Sequence, residues 1–385
     1  MVISVNPGFS SWIEIEPVSP VFIGSNEKIE KFETIVEGNK TYILDFQRLL
    51  ADDDFVELFV EKAQDILNSQ RKDEAMKEIL QKLNLSLSDV SLHSFREVLR
   101  NGKVVNVQMK RFVRSAGRYY IPGSSIKGAI RTVLIKGNPS LVRQFREALE
   151  QFMKEYKQGR NGGKRPNEGK IFGSPNKSPF RLLEISDSSF IDEEFVRFRP
   201  VEVKNLLKNK TRIPMMLELW LDSQDESNRV RAFIQTKVDR LSQMENWIKN
   251  PGYLLETFGD KSKFVEAIKR GTEKIIELEK NRITKASNPN EFKFILSFYE
   301  KLSQENRKMK DGFLLRLGAQ TGFFSKTFFT EFLNREELKF LKSIHRVYRR
   351  KMNENLFPVS ISIVESSDRP PVPKPLGWVR VRFAS

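Results

Sequence analysis

The segment at 119–131, with the sequence YYIPGSSIKGAIR, brings together residues suited to holding phosphate. Gly123 permits a close backbone approach or a positive φ. Ser124 or Ser125 can cap the helix that the following apolar spacing predicts over 124–135. The free N–H groups at the start of such a helix, together with the positive end of its dipole, bind phosphate. The segment therefore predicts an anion-binding helix start.

Two cations and a second glycine lie inside the predicted helix. Lys127 and Arg131 are four residues apart, on a different face from the apolar stripe, so they can hold adjacent phosphates. Gly128 costs roughly 1 kcal/mol compared with alanine in a helix interior, which is tolerable where another backbone or an RNA strand packs against it. The order Lys-Gly differs from that of a P-loop, so a nucleoside triphosphate is not the predicted ligand. A capped amphipathic helix with a tight turn explains the pattern equally well.

The segment at 314–326, LLRLGAQTGFFSK, is a second candidate for holding a phosphate backbone. Gly318 and Gly322 leave backbone amides open around a turn. Lys326 supplies a cation beside them, at the start of a helix that the spacing predicts over 325–341. The segment thus repeats the combination of glycines and a cation found near residue 123.

Aromatic side chains follow this second glycine turn. Phe323 and Phe324 can stack on nucleobases, which is worth ~1–3 kcal/mol per base. Phe328 and Phe329 come shortly after, and a segment this rich in rings also packs inward in many proteins. Base stacking and core burial therefore both remain open for these rings.

Groups for acid–base or metal chemistry are scarce. The chain has no cysteine, which excludes disulfides and thiolate metal sites. Its two histidines, His93 and His345, leave a multi-histidine centre almost no ligands. The three aspartates at 52–54 stand at a predicted helix start, where carboxylates more commonly serve the helix dipole than a metal. Asp187 can act as a general base, but an aspartate after a strand more commonly caps the next turn. No metal or other cofactor is expected.

The sequence PGSSIKGAIR at 122–131 resembles the signature of the RAMP superfamily of CRISPR effector proteins. Four further segments are similar, in the expected order, to the family of subunits that cap the type III-A Csm complex. They are PVSPVFIGS at 17–25, IFG…LLEISDSSF at 171–190, the second glycine segment, and PLGWVRV at 375–381. The neighbouring subunit that binds the crRNA 5′ handle shares the central signature, so the choice between these two subunits stays open.

The resemblance implies an RRM-like, ferredoxin-like architecture and a non-catalytic subunit that binds the 3′ part of the crRNA and supports its maturation in antiviral defence. The implied partners are crRNA, other Csm subunits and above all the repeated backbone subunit, target RNA within the complex, and host nucleases. In the second glycine segment the resemblance places four residues on the RNA side: Arg316, Gly318, Gly322 and Lys326.

An alternative function is an endoribonuclease of the same superfamily that processes crRNA. Such an enzyme needs a general base, and His93 or His345 would have to supply it. The scarcity of histidine and the match along nearly the whole chain favour the non-catalytic subunit instead.

Short strands interleaved with helices predict an α+β fold that positions these segments. We expect two RRM-like domains: 1–210, with an acidic helical insertion and a basic glycine-rich loop, and 211–385, with a large helical insertion. A helix is expected over 53–68, and strands over 213–221 and 230–238 are expected to pair with each other.

Charge distribution points to a polyanionic partner. The 385 residues carry a net charge of +16, with 66 Lys and Arg against 50 Asp and Glu. Residues 1–99 have a net charge of −8 and residues 100–170 one of +13, so a basic block lies beside an acidic one. A basic block with glycine turns and aromatics favours nucleic acid, although a solvated charged face is the simpler explanation.

No apolar run reaches the roughly 20 residues of a membrane span, so we expect a cytoplasmic protein.

Overall fold

The computed structural model describes residues 8–68, 72–96, 99–100, 103–104, 107–159, 169–208, 214–238, 252–344, 356–368 and 370–384. Its helices are α1 Phe46–Leu49, α2 Asp53–Glu61, α3 Ala63–Asn68, α4 Lys72–Lys82, α5 Gly123–Lys136, α6 Pro139–Lys157, α7 Gly169–Phe172, α8 Gly252–Gly259, α9 Lys261–Thr284, α10 Lys293–Lys308 and α11 Arg335–Ile344. Its strands are β1 Ser10–Pro17, β2 Gly24–Lys28, β3 Thr34–Glu37, β4 Lys40–Leu44, β5 Ser91–Arg96, β6 Leu99–Arg100, β7 Lys103–Val104, β8 Met109–Phe112, β9 Arg114–Ser115, β10 Arg118–Tyr119, β11 Leu183–Ile185, β12 Val196–Asn205, β13 Met215–Trp220, β14 Val230–Thr236, β15 Gly312–Arg316, β16 Ser360–Glu365, β17 Pro373–Pro375 and β18 Trp378–Phe383. The predicted α+β class is confirmed.

A five-stranded antiparallel sheet supports helix α5. Its order is β11-β14-β1-β18-β15, and strand β1 alternates so that Ile13 and Ile15 enter the core while Trp12 and Glu14 lie on the other face. In chain order α5 falls between β1 and β11, and α9 falls between β14 and β18. Strands β11-β14-β1-β18 with these helices follow the β-α-β-β-α-β order of a ferredoxin-like unit, and β15 extends its edge.

The second large sheet has the order β17-β16-β12-β13-β8-β2, in which only β8 and β13 run parallel. The predicted pairing of the strands over 213–221 and 230–238 is wrong, because β13 belongs to this sheet and β14 to the five-stranded one. Hydrophobic alternation gives the period of a strand but not its partner. Strand β12, ten residues long, was not predicted at all.

Both large sheets take strands from each side of residue 210. The five-stranded sheet joins β1 and β11 to β14, β15 and β18, and the six-stranded sheet joins β2, β8 and β12 to β13, β16 and β17. The RRM-like architecture and the division into two such domains, 1–210 and 211–385, stay predictions. None of the described helices is both long and apolar enough to cross a membrane.

An insertion made of β3, β4, β5 and helices α1 to α4 has its own small core, which includes Ile35, Leu44 and Phe55. The helix predicted over 53–68 forms as two helices, α2 and α3. Asp52 caps α2, because its Oδ1 accepts a hydrogen bond from the Phe55 N–H at 3.1 Å. The carboxylates at 52–54 therefore stand where the helix dipole favours negative charge.

Glycine lets α5 and α9 cross with their backbones in contact. A β-carbon on Gly271 of α9 would lie 1.8 Å from the Val133 carbonyl oxygen, and one on Gly137 would lie 2.4 Å from the Ala267 carbonyl oxygen. No real β-carbon fits at such distances, so this crossing fixes how close α5 sits to the rest of the protein. On Gly128, in the same helix α5, a β-carbon would meet nothing within 4 Å.

We expect Gly271→Ala to lower the free energy of unfolding by about 2 kcal/mol, because the two helices must move apart. The loss should appear even though alanine has the better helix propensity by about 1 kcal/mol. Denaturant unfolding measures it, and Gly128→Ala is the matched control, expected to raise stability by up to about 1 kcal/mol. Equal effects of the two substitutions would contradict the close crossing.

Lys136, in the last turn of α5, is only 3% exposed. Its Nζ donates a hydrogen bond to the Phe329 carbonyl oxygen and so ties α5 to the segment at 323–334. Burial lowers the pKa of Lys136 to about 7, although the Glu279 carboxylate acts in the opposite direction.

The lowered pKa of Lys136 predicts a pH dependence of stability. Between pH of about 7 and the ordinary lysine pKa of 10.5, the unfolded chain binds more protons than the folded one. The free energy of unfolding should therefore rise as the pH increases through this range, by at most roughly 5 kcal/mol. Urea unfolding of wild type and Lys136→Met at several pH values measures how the free energy of unfolding changes with pH. This pH dependence should be weaker in the variant. Parallel profiles would exclude the buried amine as the cause.

Candidate nucleic-acid interface

The two segments that the sequence singled out meet at one cleft of about 1010 Å³. Ser124, Lys127, Gly128 and Arg131 line it from α5, and Lys326 lines it from the far end of the second glycine segment. Helix α6 and the chain at 172–181 complete the walls. The fold thus joins residues that are distant in sequence on one surface.

The cleft is basic. Five of its lining residues are cations, and among the described residues that line it there is no Asp or Glu. These five cations are Lys127, Arg131, Arg146, Arg181 and Lys326. Arg146 is compensated by Glu337 at 2.5 Å and Glu331 at 3.0 Å.

Partial burial lowers the pKa of Lys127. The nearby Glu184 carboxylate raises this pKa, whereas the charges of Arg131 and Arg181 lower it further. Burial also lowers the pKa of Arg131. The amine of Lys326 is affected alike, since loss of hydration and the nearby Arg316 charge lower its pKa. A bound anion would raise the pKa values of these cations again, so the partly desolvated cations of the cleft favour an anionic ligand.

The start of α5 differs from the prediction. The helix begins at Gly123 with Pro122 as its N-cap and without a side-chain cap, so neither serine caps it. The N–H of Gly123 donates to Asp187 Oδ1 at 2.7 Å, which closes this amide to an outside anion. The N–H of Ser125 donates to the Pro122 carbonyl oxygen at 2.9 Å, and this serine is not part of the cleft wall.

Gly123 and Gly128 serve different purposes. A β-carbon on Gly123 would lie 2.3 Å from the Ile185 carbonyl oxygen, so this glycine permits α5 to approach the end of β11. Gly128 is exposed within the cleft, and nothing in the described chain comes within 4 Å of the position of a β-carbon there. An incoming strand can therefore approach the α5 backbone at Gly128.

The second glycine turn needs both its glycines for positive φ, +85° at Gly318 and +83° at Gly322. Gly318 lies against the chain, because a β-carbon there would be 2.1 Å from the Phe22 carbonyl oxygen, which also accepts the Ala319 N–H. Gly322 is exposed. Only the second glycine thus presents open backbone.

Arg316, which was expected on the RNA side, is buried and does not line the cleft. The residue belongs to β15, and its buried guanidinium pairs with Glu279 at 3.1 Å and donates from Nε to the Leu376 carbonyl oxygen at 3.0 Å. A charge buried and paired in this way supports the turn from inside the protein.

The helix predicted over 325–341 forms only from Arg335, where α11 begins, so its predicted start was ten residues too early. Lys326 lies instead in a turn, where its N–H donates to the Phe323 carbonyl oxygen at 3.0 Å. The sequence signal that was missed is a capping box, in which Asn334 Oδ1 accepts the Glu337 N–H at 2.9 Å and Glu337 accepts the Asn334 N–H at 2.8 Å.

The rings after the turn divide between core and cleft. Phe324 is fully buried, which removes it as a stacking candidate. Phe323 is half-buried, stacks on Phe329 with centroids 5.8 Å apart and meets Phe357 edge-on, so it belongs to a small ring cluster beside the cleft. Sequence reasoning missed rings that do line the cleft: Phe145, Phe172 and Phe180.

His93 lies in a buried polar cluster and does not line the cleft. Its Nε2 is 3.1 Å from Glu218 Oε1 and 3.3 Å from the Tyr119 hydroxyl, and Glu218 also accepts a hydrogen bond from Arg114 at 2.7 Å. His345 lies outside the described residues. Within the described ranges, no group of three or more His, Cys, Asp or Glu side chains is placed to hold a metal ion.

Comparison with known proteins identifies relatives along the chain. A Csm5 protein of a CRISPR system from Methanocaldococcus jannaschii is 26% identical over 342 residues, which are 84% of this chain and 74% of that protein. The Csm5 protein of Streptococcus thermophilus is 30% identical over 244 residues, 59% of this chain and 64% of that protein.

Solved structures share the fold. A chain of the cryo-EM structure of a type III-A Csm–crRNA–target RNA ternary complex has a TM-score of 0.68 at 20% identity, with 97% of this chain and all of that chain covered. The crystal structure of T. onnurineus Csm5 has a TM-score of 0.59 at 19% identity, with coverages of 95% and 99%.

The family comparison agrees with the PGSSIKGAIR signature that begins at the start of α5. The model of the RAMP superfamily matches residues 14–349, which is most of the sequence and includes every residue that lines the cleft. The chain therefore belongs to the RAMP superfamily.

Proposed function

We propose that this chain is a non-catalytic crRNA-binding subunit of a type III-A CRISPR (Csm) ribonucleoprotein. It caps the backbone filament at the crRNA 3′ end and supports crRNA maturation in antiviral defence. The observation that carries the proposal is the cleft where both glycine segments meet, lined by five cations and by no described carboxylate. The two Csm5 relatives and the fold shared with a chain of a Csm–crRNA–target RNA complex support it.

The strand is held mainly through its phosphates. Lys127 and Arg131 stand one helical turn apart on the cleft side of α5, so they suit phosphates that follow one another along a single strand. Gly128 lies between them and lets the strand approach the helix backbone. Lys326 adds a cation from the second glycine segment, in which Gly322 also offers exposed backbone. Such contacts position RNA without reading its sequence.

Other subunits and target RNA complete the assembly. The proposed partners are the repeated backbone subunit, further Csm subunits, target RNA and host nucleases, in the cytoplasm. The acidic insertion that contains α1 to α4 would face a protein neighbour or solvent rather than RNA. The endoribonuclease alternative has less support, because the His93 ring is engaged with Glu218 and does not line the cleft.

We expect Lys127→Ala and Arg131→Ala each to weaken RNA binding to a similar extent for all sequences. Each should also reduce the slope of log K against log salt concentration by about one, since one phosphate contact is lost. Titration of a labelled single-stranded RNA at several salt concentrations measures both effects. Lys82→Ala, at an exposed lysine of α4 that is not in the cleft wall, is the control. An unchanged slope in both cleft variants would mean that these side chains do not contact phosphate.

Gly128→Ala separates folding from binding. The added methyl group meets nothing in the described chain, so stability should stay or rise by up to about 1 kcal/mol. RNA affinity should nevertheless fall, because the methyl group stands where the strand approaches α5. Unfolding and RNA titration on the same preparation test both parts. Unchanged affinity would show that RNA does not pass over this glycine.

A further inference from the structure

The walls of the cleft are more aromatic than a phosphate backbone requires. Phe145 of α6 and Phe328 are both half-buried, with ring centroids 4.5 Å apart and ring planes at 34°. Phe172 meets the Phe145 ring edge-on at 6.2 Å, and Phe180 lies beneath the Arg131 guanidinium at 5.4 Å. Phe172 and Phe180 are buried behind these rings. Cations alone suffice to bind phosphates, so the partly exposed rings of Phe145 and Phe328 indicate that an apolar, planar group also enters.

A hydroxyl group in the same wall lacks a partner. Ser178 is buried, and its Oγ has no hydrogen-bond partner among the described residues. A buried hydroxyl without a partner is unfavourable, so a polar group of a ligand would stabilise it. Ser178 and Phe180 stand on the same stretch of chain, which places this hydroxyl beside the aromatic wall.

We propose that the cleft receives one unstacked nucleobase of the bound strand, an inference that rests on the proposed RNA-binding function. The base lies against the wall formed by Phe145 and Phe328, and Lys127 and Arg131 hold the phosphates on either side of it. The absence of described carboxylates from the lining disfavours a cationic ligand and suits a base with its flanking phosphates. The volume of about 1010 Å³ is large enough for a nucleotide.

The pocket accepts different bases. Every base has a π face that can lie on a phenylalanine ring, whereas selective recognition requires several fixed donors and acceptors. The lining offers few neutral polar side chains, mainly the hydroxyls of Ser124, Ser174, Ser178, Thr327 and Thr330. Stacking therefore dominates over base reading.

Two oligomers of equal length and charge test the proposal on the full-length chain: oligouridine, and an oligomer of abasic ribose phosphate. Phe145→Ala and Phe328→Ala should weaken oligouridine binding at least roughly fivefold and leave abasic binding and the salt slope unchanged. Lys127→Ala should weaken both oligomers. Phe294→Ala, at a ring of α10 that is 63% exposed and not in the cleft wall, should change neither.

Circular dichroism checks that each variant folds. Should Phe328→Ala fail to fold, Phe328→Leu keeps most of the apolar volume, removes the ring, and should show the same selective loss. Equal weakening of both oligomers by the phenylalanine variants, or no effect on either, would overturn the base pocket and leave phosphate binding intact. No effect of Lys127→Ala on either oligomer would instead contradict the proposed function itself.

Discussion

The buried carboxylate of Glu279 is the interaction on which the cleft depends. From α9 it pairs with Arg282 of the same helix and with Arg316 of β15, at the edge of the five-stranded sheet. Arg282 also donates to the carbonyl oxygens of Pro358 and Ser360, where β16 of the six-stranded sheet begins. One carboxylate thus links both large sheets directly beneath the second glycine turn. Without this carboxylate, the guanidinium groups of Arg282 and Arg316 would be buried without their shared counter-ion, which would strongly destabilise the fold.

The residues that the sequence singled out in the two glycine segments fall into two groups in the structure. Gly123, Gly318 and Arg316 serve the fold, through close approach, a positive φ or the ion pair with Glu279. Lys127, Gly128, Arg131 and Lys326 line the cleft. Glycine and arginine occur in both groups, so the sequence could locate the two segments but could not tell which of these residues faces inward. That depends on distant partners such as Phe22 and Glu279, which no local pattern reveals.

The same distinction explains which elements could be predicted. Helix α5 follows from local periodicity, and each of its ends differs from the prediction by one residue. The partners of β13 and β14 could not be predicted, because alternation carries no information about which strand lies alongside. The helix predicted over 325–341 was started ten residues too early, whereas the capping box of Asn334 and Glu337 marks its true start. Neither kind of local signal was sufficient alone, since at α5 the apolar spacing was right and the predicted serine cap was wrong.

The electrostatics of the cleft explain why holding a strand suits this site. Lys127, Arg131 and Lys326 are partly desolvated, which lowers the pKa of each and makes its charged form less favourable than in water. A phosphate strand supplies the missing negative charge along a line, whereas a single small anion could satisfy only one part of the cleft. Meanwhile the walls present rings and hydroxyls, which add contact without demanding a particular base. In the proposed function, affinity then grows with the length of strand engaged, which suits a subunit that holds a guide RNA of any sequence.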